Sequence, residues 1–186
     1  MTPALEAAYA EPHRRYHTRR HVERCLTLLE GVGDLTTRCR RLLTWAIWWH
    51  DAVYIPGAKD NEDMSALMAL HDLQELGEPR DERTEVARLI WLTKGHHVHP
   101  HDRLGEILVS IDLAILGAAP AEYDAYVAQI RAEYADVDAA GWNRGRTAVL
   151  KHFLAVPAIY PEPEFKARLE KQARENLSRE LAGLEA

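Results

Sequence analysis

Apolar residues return at every third or fourth position in segment after segment of this chain, and nowhere do they alternate with polar ones over the length of a strand. That period belongs to the α-helix, where side chains at i, i+3 and i+4 share a face; a half-buried strand shows a period of two. Val22, Cys25, Leu26, Leu29 and Val32 form one such stripe, closed by Gly31 and Gly33. A second helix is predicted from near Thr36 into Trp49, and its last turns, Trp45 to Trp49, are apolar on every side, the mark of a central, buried helix. A third, capped by Asp60 or Asn61, carries Met64, Leu67, Met68, Leu70 and Leu73 and ends at Gly77; a fourth, over about 81–93, points Val86, Leu89 and Ile90 inward. A fifth covers about 103–116. Pro120 opens a sixth, with Tyr123, Tyr126, Val127, Ile130, Tyr134 and Val137 on one stripe. The seventh holds Val149, Leu150, Phe153 and Leu154, and the last repeats Phe165, Leu169, Ala173, Leu177, Leu181 and Leu184 at a spacing of nearly four. The pattern predicts an all-α fold: a single domain over 1–186 with about seven to nine helices, a core at about 15–156 and a C-terminal helix at about 161–184 packed on it. The final stripe reads as core packing, with a homodimer seam as the alternative.

The chain has 186 residues, 47% of them apolar, enough to bury a sizeable core. Its net charge of −6, with acids and bases interleaved, argues against a nucleic-acid partner or an anionic membrane surface. The N-terminal stretch lacks the basic and then apolar regions of a signal peptide, and no window reaches the roughly 18 uncharged apolar residues of a spanning helix. Cys25 and Cys39 read as buried free thiols, and a cytoplasmic location is expected.

Two carboxylates look wrong for structure alone. The run WAIWWHDAVY places His50 and Asp51 directly after a fully apolar helix, and EILVSIDLAILG places Asp112 in the middle of an apolar one. An ionised, unpaired carboxylate in such surroundings costs several kcal/mol. Helix capping explains Asp51 without chemistry, and a buried ion pair or hydrogen bond does the same for Asp112. A divalent cation between the two explains both at once, because it turns their mutual repulsion into ligation. The other His-Asp pairs, His71-Asp72 and His101-Asp102, read as solvated or capping. A further imidazole is available in RRYHTRRHVERCLTLL, where His17 and His21 share a helix face if the helix includes both.

An early-helix histidine, a His-Asp pair at a helix end and a lone aspartate on a later helix together resemble the HD superfamily of metal-dependent phosphohydrolases. More closely, YHTRRHV, AIWWHDAVY, NEDMSA, LIWLTKGHH, SIDLAILG, YVAQIRAEY, GRTAVLKHFL and ARENLSREL resemble a bacterial subfamily of small predicted HD phosphohydrolases, over nearly the whole chain. The resemblance implies an HD-type helical domain and one divalent metal ion held by His21, His50, Asp51 and Asp112. Two imidazoles and two carboxylates leave room for waters, which suits Mn, Fe, Co, Ni or Mg better than closed tetrahedral zinc. The activity implied is hydrolysis of a small phosphorylated molecule, a nucleotide being the first class to test, through a metal-bound water. The alternatives are a non-catalytic metal- and nucleotide-binding module, or a two-metal phosphodiesterase or oxygenase variant.

The helpers are less defined. Glu62 or Asp63 at the start of the third helix is a candidate general base, though acids there also suit the helix dipole. Lys94, His96 and His97 in TKGHH are candidates for a proton donor (His96) and for phosphate contacts (Lys94, His97), and His17 for a ligand contact. Arg14, Arg15, Arg19, Arg20, Lys59, Arg144 and Arg146 are further cations that can meet a phosphate, most of them expected at the surface. Some HD nucleotidases carry a catalytic glutamate three residues after the aspartate of the pair; here that residue is Tyr54, so the role must move or the activity weaken.

Overall fold

The computed structural model describes residues 2–185. Among them run nine α-helices: α1 (Pro3–Tyr9), α2 (Arg19–Glu30), α3 (Thr37–Trp49), α4 (Asn61–Glu75), α5 (Arg80–Thr93), α6 (Arg103–Asp112), α7 (Pro120–Glu133), α8 (Ala139–Ala155) and α9 (Pro163–Glu185), with a 3-10 turn over Leu113–Gly117. The fold is all-α, and no strand occurs among the described residues.

Helices α3 and α6 form the centre. Leu42, Leu43, Ala46 and Ile47 of α3 and Ile107, Leu108, Val109 and Ile111 of α6 are buried, each such aliphatic side chain contributing about 1.5–3 kcal/mol by leaving water. Thr36 caps α3 by accepting from the Cys39 amide at 3.1 Å, and Asp102 caps α6 by accepting from Gly105 at 3.1 Å. Phe165, Ala173 and Leu177 of α9 are buried, Leu169, Leu181 and Leu184 are half-buried against the core, and α9 packs on the 3-10 turn and α8.

Several sequence expectations need correction. Asp112 is not a mid-helix residue: α6 ends on it, and the chain tightens into the 3-10 turn. A Cβ on Gly117 would lie 2.7 Å from Leu169 Cβ, so a residue without a side chain lets α9 close onto the turn. The turn's carbonyls find partners in α9 and just before it: Asn176 donates to Leu116 and Ala118 at 2.9 Å, and the Tyr160 hydroxyl to Leu113 at 3.2 Å. Of the predicted stripe, α4 buries Leu73 but leaves Met64 and Leu67 exposed, and it also buries the small Ser65, Ala66 and Ala69, which let it lie close to α5. Tyr134 and Val137 fall beyond the end of α7, and Cys39 is only half-buried. Asp72 is not simply solvated, since it accepts from the Trp49 indole at 3.1 Å. No single described helix is long and apolar enough to cross a membrane.

Candidate metal centre

The end of α3 is held by groups from the N-terminal segment. Tyr9 donates its hydroxyl to the Trp48 carbonyl at 2.9 Å. Arg14, its side chain fully buried, donates to the carbonyls of Asp51 (2.7 Å), Ala52 (3.0 Å) and His17 (3.1 Å). The Tyr9 bond satisfies a carbonyl that the terminating helix leaves open, and the Arg14 bonds tie the segment after α3 to the one before α2. They also correct the expectation for Arg14, which is no surface cation.

Four side chains from three separate parts of the chain meet here. His50 Nε2 lies 3.1 Å from His21 Nε2, 3.1 Å from Asp51 Oδ2 and 3.5 Å from Asp112 Oδ1; His21 Nε2 lies 3.3 Å from Asp112 Oδ1 and 3.7 Å from Asp51 Oδ2. His21, His50 and Asp51 each offer a donor atom within 4.8 Å of the others, a group that can hold a metal ion, and Asp112 reaches the same two imidazoles. The donor set fits a divalent ion. His50 Nδ1–H donates to the Ile47 carbonyl at 2.8 Å, so in the neutral ring Nε2 carries the lone pair that faces the other donors.

The electrostatics express the same crowding. Burial pushes Asp51 and Asp112 up, but the imidazoles of His50, His17, His21 and His96 overcome it and hold both carboxyls below their usual range. Burial opposes charge on His50, yet Asp51 and Asp112 raise its imidazole well above the ordinary value. His21 is lowered, chiefly by burial, with the neighbouring His50 adding to it.

Around this group lies a cavity of about 360 Å³, lined by His17, Asp51, Glu62, His96 and Asp112 among others. His96 Nε2–H donates to Asp112 Oδ2 at 3.2 Å. Its backbone is left-handed, φ 55°, a conformation that favours glycine, although the glycine of TKGHH sits one residue earlier. Of the other sequence candidates, Glu62 lines the cavity and Asp63 does not; Asp63 forms an ion pair with Lys94 at 2.5 Å, both near half-exposed. His97 turns to the Gly95 carbonyl and lines a neighbouring cleft with His152 and Phe153. Lys94, His97 and Asp63 are thus not among the residues that line this cavity. His17 lies ahead of α2 rather than on it, so it does not share a helix face with His21, but it does line the cavity.

Sequence reasoning missed Glu133. Its Oε1 accepts from the amides of Arg15 (2.7 Å), Tyr16 (2.7 Å) and His17 (3.0 Å), and its Oε2 from His17 Nδ1–H (2.7 Å) and the Tyr54 hydroxyl (2.9 Å). This carboxylate pins the strap before α2 and orients His17. The signal was an acid in the last turn of α7, where the helix dipole disfavours one. Burial raises Glu133, but the His17 bond and charge and the backbone amides bring it down to about 2, against an ordinary 4.5. A depressed folded-state value means stability that is full above the ordinary value and lost as pH falls through the folded one. From pH 5 to pH 2 the native protein is expected to lose about 3 kcal/mol through this group. Glu133→Gln should be less stable at pH 7 by a similar amount and show a flatter acid limb; denaturant melts across that range check it, and an unchanged limb refutes it.

No family model, curated protein or solved structure matches this chain.

Proposed function

We propose that this chain is a metal-dependent phosphohydrolase of the HD type, acting on a small phosphorylated molecule, with nucleotides the first class to test. The observation that carries the reading is the convergence of His21, His50, Asp51 and Asp112, with both imidazole Nε2 atoms within 3.7 Å of carboxylate oxygens from two different segments. A divalent ion held there supplies a Lewis acid for a phosphoryl oxygen and lowers the pKa of a water. The protein's own groups orient and transfer protons. His96 and Glu62, which line the cavity, are the candidates for proton transfer to a leaving oxygen, and His17, held by Glu133, is the candidate ligand contact. A second reading is a metal- or nucleotide-binding module without turnover. It is favoured by Tyr54, which stands where some HD nucleotidases have a glutamate and spends its hydroxyl on Glu133.

Two measurements test these readings. Elemental analysis of protein purified without chelator should give about one divalent ion per chain, and phosphate release should be measured over a nucleotide panel with Mn²⁺, Co²⁺ or Ni²⁺ added. Metal with release supports the phosphohydrolase, metal without release the binding module, and no metal removes both.

A further inference from the structure

The cavity over the centre carries no lysine or arginine among its described lining residues. Its acids are Asp51, Asp112 and Glu62. The first two offset a divalent ion, whereas Glu62 has no ion-pair partner among the described residues. The nearby cations lie outside it: Arg15, Arg20 and Arg24 line a separate cavity on the far side of Tyr16, Ile115 and Tyr126. Lys94 pairs with Asp63, Arg14 lies behind the cavity against backbone carbonyls and Glu11, and the His17 imidazole is matched by Glu133. Tyr54, Tyr126, Tyr134 and Phe153 supply rings to the walls and Val149 a half-exposed aliphatic face.

Phosphate recognition ordinarily brings guanidinium or ammonium groups to the anion. With none lining this cavity, each negative charge beyond the phosphoryl group that meets the metal faces Glu62 and aromatic rings in a partly desolvated space. Ring faces, by contrast, attract flat apolar bodies and cations. A volume of about 360 Å³ is near the small end of ligand cavities.

Resting on the phosphohydrolase reading, we propose that the cavity selects phosphomonoesters that carry a single phosphoryl group on a compact, flat, neutral or cationic body, and that it disfavours polyphosphates and esters with a second anionic group. Glu62 is the residue that sets this charge preference.

Three aryl esters of different remote charge test it with Mn²⁺-loaded protein: phenyl phosphate, 4-(aminomethyl)phenyl phosphate and 4-carboxyphenyl phosphate. The expected order of kcat/KM is aminomethyl at or above phenyl, and carboxy about tenfold below phenyl. Adenosine triphosphate should also fall at least about tenfold below the monophosphate. In Glu62→Gln the ratio of phenyl to carboxy ester should narrow toward one, whatever happens to the absolute rate. A carboxy ester handled as well as phenyl phosphate, or a triphosphate preferred over the monophosphate, overturns the inference. Should no ester release phosphate, the phosphohydrolase reading fails by itself. The charge preference is then read from calorimetric binding of phenylphosphonate and 4-carboxyphenylphosphonate to the Mn²⁺-loaded protein, where equal affinities, or binding of neither, overturn it.

Discussion

Asp112→Ala is expected to lower bound divalent metal from about one ion per chain to below about one in ten chains, and phosphate release by at least about a thousandfold. Losing even an outer partner of a metal ligand commonly costs 10- to 100-fold in affinity, and Asp112 is proposed as a direct ligand. Its Oδ1 lies 3.3 Å and 3.5 Å from the two imidazole nitrogens, and its loss leaves Asp51 as the one carboxylate of the proposed ligand set. The fold should survive, because the side chain sits at the end of α6 rather than inside it and alanine is tolerated there. Metal content by elemental analysis, with circular dichroism as the control for folding, checks the result. A variant that keeps both its metal and its activity shows that the ligand set is wrong.

The second large effect concerns stability. Arg14→Ala should cost about 4 kcal/mol and lower Tm by about 10 °C, since it strips donors from the carbonyls of Asp51, Ala52 and His17 and leaves a void beside them. Metal affinity should fall about 10- to 100-fold as well, because the peptide that carries Asp51 is no longer fixed. Arg14→Lys should recover only part of either loss: an ammonium is one point of charge, whereas the guanidinium reaches three carbonyls at once. Thermal melts and metal titrations on both variants decide it. A lysine variant equal to the native protein in both would refute the role given to Arg14.

The sequence spoke most clearly where a residue conflicted with its surroundings. Asp51 and Asp112 stood out because burial of a carboxylate is costly, and the structure brings both to the same two histidines. Helix periods were legible for the same reason, since an apolar face must be buried whatever covers it. Helix α1 left no comparable mark; its seven residues bury little beyond Leu5 and Tyr9. The supporting groups were hidden for a different reason. Arg14 among PHRRYH and Glu133 in IRAEY look like ordinary surface charges, and only the closing of distant segments makes them interior. Their environment depends on tertiary contact, which no local pattern encodes. Met64 and Leu67 misled in the opposite way: their spacing suited a helix face, but α4 turned its smaller side chains toward α5. The position of Asp112 was misjudged because the passage from α-helix to 3-10 turn depends on how closely α9 approaches Gly117.

Glu133 follows every proposed ligand in chain order, yet it fastens the segment that precedes them all. A polypeptide emerging from the ribosome therefore has its full set of donor atoms before the clasp that steadies His17 exists. Early capture of an ion is compatible with the architecture, whereas the finished wall of the cavity requires a loop of more than a hundred residues to close, one of the slower events in the folding of a helical chain.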